Sequence, residues 1–156
     1  MYFRCLISIV VLISLSSCDS DSENNTALPA GNEIKFQTLA MGGFHSGSNE
    51  TDRSFQVLRS QSEYEQKISL FPDESPSPVD FENGIVLFAS YGFAPQNAHS
   101  IEIVSIVDRG NFLEANITLK LPFNCAAGNA ITNPYHFVYV EQQGLVLAAE
   151  SLEDSC

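Results

Sequence analysis

Any chemistry in this chain would have to come from four cysteines, three histidines and a few adjacent carboxylates. His45, His99 and His136 stand singly, without the His-x-x-x-His or paired-cysteine spacing that gathers ligands around a metal, so no metal site and no cofactor is expected. His136, two residues after Pro134 at the start of an apolar run, reads as a hydrogen-bonding residue of the framework. Ser46 and Ser48 lie in a glycine-rich stretch, but no Gly-x-Ser-x-Gly elbow holds either as a nucleophile. No phosphate loop or dinucleotide fingerprint occurs. Asp73 with Glu74, and Asp80 with Glu82, are the available carboxylate pairs. Such neighbours are ordinarily surface charge, and on a strand adjacent residues point to opposite faces. These readings leave no catalytic residue, and the chain is not expected to be an enzyme; a hydrolase with an unfamiliar site is the alternative.

The cysteines are more informative. Met1-Tyr2-Phe3-Arg4 carries one positive charge and is followed by an apolar run over residues 6–15. Ten residues span about 15 Å as a helix, half of a roughly 30 Å hydrocarbon core, which fits a signal peptide better than a membrane span. The run ends in Leu15-Ser16-Ser17-Cys18, which has the form of a lipobox. In such a signal the cysteine thiol receives a diacylglycerol and the chain is cut before it, and multiple acyl chains give stable membrane anchoring. Residues 1–17 are thus expected to be a lipoprotein signal peptide. Cleavage before Cys18 leaves 139 of the 156 residues. Cys5 leaves with the signal and Cys18 takes the lipid. Cys125 and Cys156 remain, to form a disulfide in an oxidising compartment or to stay as two thiols. A disulfide there would contribute about 3–4 kcal/mol in the chain-entropy model.

The elements that must position these groups are mostly strands. Residues 18–32 are small and polar and read as a lipidated, disordered tether; residues 33–156 read as a single β-rich domain. A partly alternating segment, 33–39, fits one strand, and 53–59 another. Between them lies a glycine-rich loop around Phe44. Ser60 with Glu63 has the spacing of a capping box, opening a short helix to about Leu70 with Tyr64, Ile68 and Phe71 on one face. Pro72, Pro76 and Pro78 then enforce an irregular loop. Ile85-Val86-Leu87-Phe88-Ala89 is an apolar run of strand length, and 101–107 is a second. From 112 to 121 the alternation is strict, with Leu113, Ala115, Ile117, Leu119 and Leu121 opposite Glu114, Asn116, Thr118 and Lys120, which predicts one buried and one wet face. Asp108-Arg109-Gly110-Asn111 predicts a hairpin between these runs, and Gln142-Gln143-Gly144 a second hairpin joining 135–140 to 145–148. The fold class is mainly β: a small antiparallel β-sandwich or open barrel with one short helix.

The net charge of −12 excludes a basic stripe for nucleic acid and disfavours electrostatic docking on anionic lipid, so the acyl group must anchor the chain. Two loops could meet a partner. One holds Phe44 among glycines; the other, 91–99, offers Tyr91, Phe93 and Pro95.

In order along the chain come Val79-Asp80-Phe81, the apolar strand with Gly92 after it, Ser100-Ile101-Glu102-Ile103 with its hairpin, Pro122, Cys125 and Asn133-Pro134-Tyr135-His136-Phe137-Val138. Residues 79–140 thereby resemble the C-terminal domain of the protease complex subunit PrcB family, and residues 34–58 resemble its weaker N-terminal part. Members are small exported proteins, often lipoproteins. The resemblance implies a noncatalytic accessory that assembles with, or stabilises, an exported protease; direct protease inhibition is a related reading. One departure is visible. Where many members carry threonine or serine, two glycines and a tyrosine, this chain reads Gln96-Asn97-Ala98-His99, without the freedom for close backbone approach that a double glycine gives.

Overall fold

A computed structural model of the chain describes residues 30–43, 52–96, 98–123, 128 and 130–155. The elements in chain order are β1 (Asn32–Ile34), β2 (Phe36–Gly42), β3 (Ser54–Leu58), α1 (Gln61–Ile68), β4 (Ile85–Ser90), β5 (Ser100–Asp108), β6 (Leu113–Leu121), β7 (Tyr135–Val140) and β8 (Val146–Asp154). They form two four-stranded sheets, ordered β1-β5-β6-β8 and β2-β7-β4-β3. The sheets pack as a sandwich and do not close into a barrel. Every pairing is antiparallel except β6 with β8.

The period of two decides what each strand buries. Ile85, Leu87 and Ala89 of β4 and Val138 and Val140 of β7 meet Ile101, Ile103, Ile106, Leu113, Ala115, Ile117 and Leu119 from the opposing sheet in the inter-sheet core. The intervening Val86, Phe88, Tyr135 and Phe137 point to the other face, where Tyr64, Ile68 and Phe71 cover them. This outer layer is aromatic: the Phe71 and Tyr135 rings lie 4.1 Å apart, and Phe88 and Phe137 4.5 Å. All six residues of β4 are therefore buried, which explains its uninterrupted apolar sequence.

Helix α1 begins as the spacing predicts. The Ser60 hydroxyl accepts from the Glu63 N–H at 3.3 Å, and the Glu63 carboxylate reaches back to the Arg59 N–H at 2.7 Å. The helix ends at Ile68, two residues before the expected limit, because Leu70 and Phe71 turn more tightly, their N–H groups reaching Lys67 and Ile68.

Three expectations about the strands need correction. Residues 33–39 are not one strand: the chain leaves one sheet at Ile34 and joins the other at Phe36, with Lys35 at the corner. That switch is why the alternation there is only partial. Nor do 135–140 and 145–148 form a hairpin. After β7 the chain crosses to the opposite sheet, where β8 runs parallel to β6. Hydrogen bonds from distant residues carry it across: Gln143 Nε2 donates to the Gly84 carbonyl at 2.6 Å, Arg59 Nη2 to the Gly144 carbonyl at 2.5 Å, and Leu113 N–H to the Leu145 carbonyl at 2.8 Å. The hairpin of β5 and β6 forms as expected, with Asp108 Oδ1 accepting from Gly110 N–H at 2.7 Å and Gly110 at φ +87°. The wet face of β6 is only partly wet, since Glu114 and Thr118 are buried between the flanking strands.

Candidate functional site

The strand directions divide the sandwich into two ends. One collects Asn32, the hairpin after Asp108, the start of β4 and the crossing between β7 and β8. The other collects Gly42, Ser54, Ser90, Ser100, Leu121, Tyr135 and Asp154, and hence the connections 43–53, 91–99 and 122–134. Both loops singled out for their chemistry are rooted at this second end.

Four large apolar side chains are exposed there: Met41, Phe93, Phe123 and Ile131. Phe93 and Ile131 are 56% and 62% exposed. They come from two segments joined by one antiparallel bridge, in which Ala94 and Thr132 exchange N–H···O bonds of 2.9 Å. Ala94 and Thr132 point inward and are buried, so the alternation sends Phe93, Pro95 and Ile131 outward. Buried groups hold this outer surface in place. Ser90 Oγ accepts from Gly92 N–H at 3.0 Å and bonds Asn133 Oδ1 at 3.3 Å; the Pro134 carbonyl accepts from Tyr91 N–H at 2.9 Å. Small groups at a loop end are thus spent on rigidity, and large apolar ones are left facing out.

Tyr91, in the same loop, is less open than Phe93. Its ring is half-buried, packs against the inter-sheet core, and meets the His99 ring edge-on at 5.0 Å. His99 Nδ1 bonds the Gln96 carbonyl at 3.0 Å, so this imidazole shapes the loop. Phe44, His45, Ser46, Ser48, Cys18, Cys125 and Cys156, with the signal and tether segments to residue 29, lie outside the described residues. Ile131, Phe123 and Met41 went unnoticed in the sequence, where each is one apolar residue in a stretch without a period.

The titratable groups perform structural work. His136 is 2% exposed; its Nδ1 accepts from Ile103 N–H at 3.0 Å and its Nε2 pairs with Thr38 Oγ1 at 3.0 Å. Because an amide can only donate, Nδ1 is the bare nitrogen and Nε2 carries the proton. Burial holds this histidine down to about 4. Tyr135 donates its hydroxyl to Glu74, and burial foremost, then that carboxylate, raises the phenol well above its usual range. Asp80 caps a turn, accepting from the side chain of Asn83 and from the N–H groups of Glu82 and Asn83, and the Asn83 amide first of all lowers its pKa. Among the described residues no three His, Cys, Asp or Glu side chains gather as a metal would require, and no helix is long and apolar enough to cross a membrane.

Comparisons with protein-family models, curated proteins and solved structures return no match for this chain.

Proposed function

We propose that this chain is a membrane-anchored, extracytoplasmic lipoprotein whose sandwich offers a noncatalytic binding surface to a protein partner, an exported protease that it assembles with or stabilises. The single observation that carries the reading is the exposed apolar end bearing Met41, Phe93, Phe123 and Ile131, built on loops that the sheets hold rigid. Two features of the sequence support it: Leu15-Ser16-Ser17-Cys18, and the resemblance of residues 79–140 to the PrcB family. The apolar end lies opposite Asn32, so a tether entering there would leave it unobstructed.

The test is crosslinking in the native envelope, comparing the full chain with Phe93→Ala and Ile131→Ala and quantifying the crosslinked protease. Both variants should lose most of the crosslink, at least about five-fold for one hot-spot contact of 1 kcal/mol or more. Their melting temperatures should fall within about 3 °C of the parent, as expected for exposed positions. An unchanged crosslink sinks the proposal. Adding the purified chain to the protease separates the accessory from the inhibitor, since only an inhibitor slows turnover.

A further inference from the structure

Strand β8 closes one edge of its sheet in an unusual condition. It runs for nine residues in unbroken parallel register with β6, from Val146 opposite Leu113 to Asp154 opposite Leu121. Only Val146 is buried; the next eight residues are exposed. Side chains sharing a face with Leu113, Ala115, Ile117 and Leu119 should enter the core, and in β8 these are Val146, Ala148, Glu150 and Leu152. Yet Leu152 is 63% exposed, and Leu147 on the other face is exposed as well. Besides the main-chain ladder, contacts that hold the strand include the Arg53–Glu150 ion pair across the sheets, the Thr118–Ser151 hydroxyl contact at 3.2 Å, and Ser155 N–H on the Leu121 carbonyl at 2.9 Å.

Proteins ordinarily blunt such an edge with a short strand, a bulge, a proline, a lysine or a charge pointing inward; of these β8 has only the charge, Glu150, and Arg53 pairs it. In 146–154 there is no Pro, no Lys and no register shift. Among the described residues no strand lies beyond β8, so the side turned away from β6 offers its main-chain groups to another strand.

We propose that the occupant is the β8 strand of a second copy of this chain, paired antiparallel about a two-fold axis at Ala149. The two sheets then continue into one of eight strands. An axis normal to the sheet keeps every side chain on its own face, so only registers centred on a residue are allowed. Centring on Ala149 places Val146 opposite Leu152, Leu147 opposite Ser151, and Ala148 opposite Glu150. Both exposed leucines gain cover, no carboxylate faces another, and Glu150 keeps Arg53. Centring on Glu150 would set two carboxylates against each other across the axis, which is destabilising in directly opposed pairs. Centring on Ala148 would shorten the pairing and strand Leu152. Glu153 and Asp154 overhang, and their charge penalises any slip toward the C-terminus.

The experiment is oxidative crosslinking of the full chain in membranes, with Ala149→Cys and Glu153→Cys compared against the parent. Across the axis two residues at position 149 have Cα atoms about 4.5–5.5 Å apart, within disulfide reach. Two residues at 153 are separated by about 27 Å, eight strand steps. Ala149→Cys should give a disulfide dimer at least about five times more abundant than Glu153→Cys. In parallel, the purified parent should sediment as a dimer at about 100 µM and dissociate on dilution, as small interfaces do. Ala149→Lys should sediment as a monomer with an unchanged melting temperature. Equal crosslinking at 149 and 153, or a parent monomeric at that concentration, overturns the proposal.

Discussion

The imidazole of His136 does for Ile103 what a neighbouring strand would otherwise do. Register shifts fall between Ile103 and Ser105 in β5 and between Thr38 and Ala40 in β2, and the ring's two nitrogens serve the residues that flank these bulges. One side chain thus serves the buried Ile103 N–H of one sheet and the exposed Thr38 hydroxyl of the other, and leaving that amide bare in the core would cost about 1–3 kcal/mol. The bond from Ile103 requires a bare Nδ1, so a proton and that bond compete for the same lone pair. Folding therefore depends on pH with a definite sign. The folded state holds this histidine at about 4 against 6.5 for the free side chain, so below 6.5 the unfolded chain binds more protons. The stability that neutral His136 contributes is complete above pH 6.5 and drains away as pH falls toward 4. Urea unfolding at pH 7 and pH 5 should differ by about 2 kcal/mol from this group, and in His136→Gln most of that difference should vanish. A variant that keeps the full difference would assign it to other groups.

At the scale of elements, the outer layer depends on one short helix. An isolated helix of eight residues is unstable in water, so α1 persists through its buried face and its caps. Ser60→Ala should cost about 1 kcal/mol in urea unfolding, since it removes one capping bond at an exposed site. Phe71→Ala should cost about 3–5 kcal/mol, because that ring touches Phe88, Tyr135 and Phe137 at once. The cap, Tyr64, Ile68 and Phe71 were all legible in the sequence, because each obeys a local rule. So was most of the buried face of β6: Leu113, Ala115, Ile117 and Leu119 are buried as the alternation predicts, and only Leu121 at the strand end is half-buried. What escaped was set by contacts far apart in the chain. The corner at Lys35 exists because β1 and β2 choose partners in different sheets. The crossing after β7 carries turn-like residues, Gln142-Gln143-Gly144, whose function is fixed by Gly84 and Arg59 on other elements. The candidate site divides the same way: Phe93 was legible as an apolar residue in a loop, whereas Ile131 acquired meaning only once the Ala94–Thr132 bridge brought it to the same surface.

At the scale of the molecule, the proposed anchor and the apolar end would give the sandwich a polarity. With the anchor as proposed, Cys18→Ala should abolish incorporation of an alkyne fatty acid and leave an unprocessed chain, measured by metabolic labelling and gel mobility; equal labelling would remove the anchor from the account. The strand order carries a further consequence, for time instead of space. β7 lies between β2 and β4, and β8 is an edge that only the last residues supply. Thr38 meets His136 across 98 positions, and Arg53 meets Glu150 across 97. Neither sheet can be completed until nearly the whole chain has emerged, and closing such long loops makes folding slow. A chain threaded N-terminus first through a narrow pore would arrive on the far side still unfolded, its early strands waiting for partners not yet delivered.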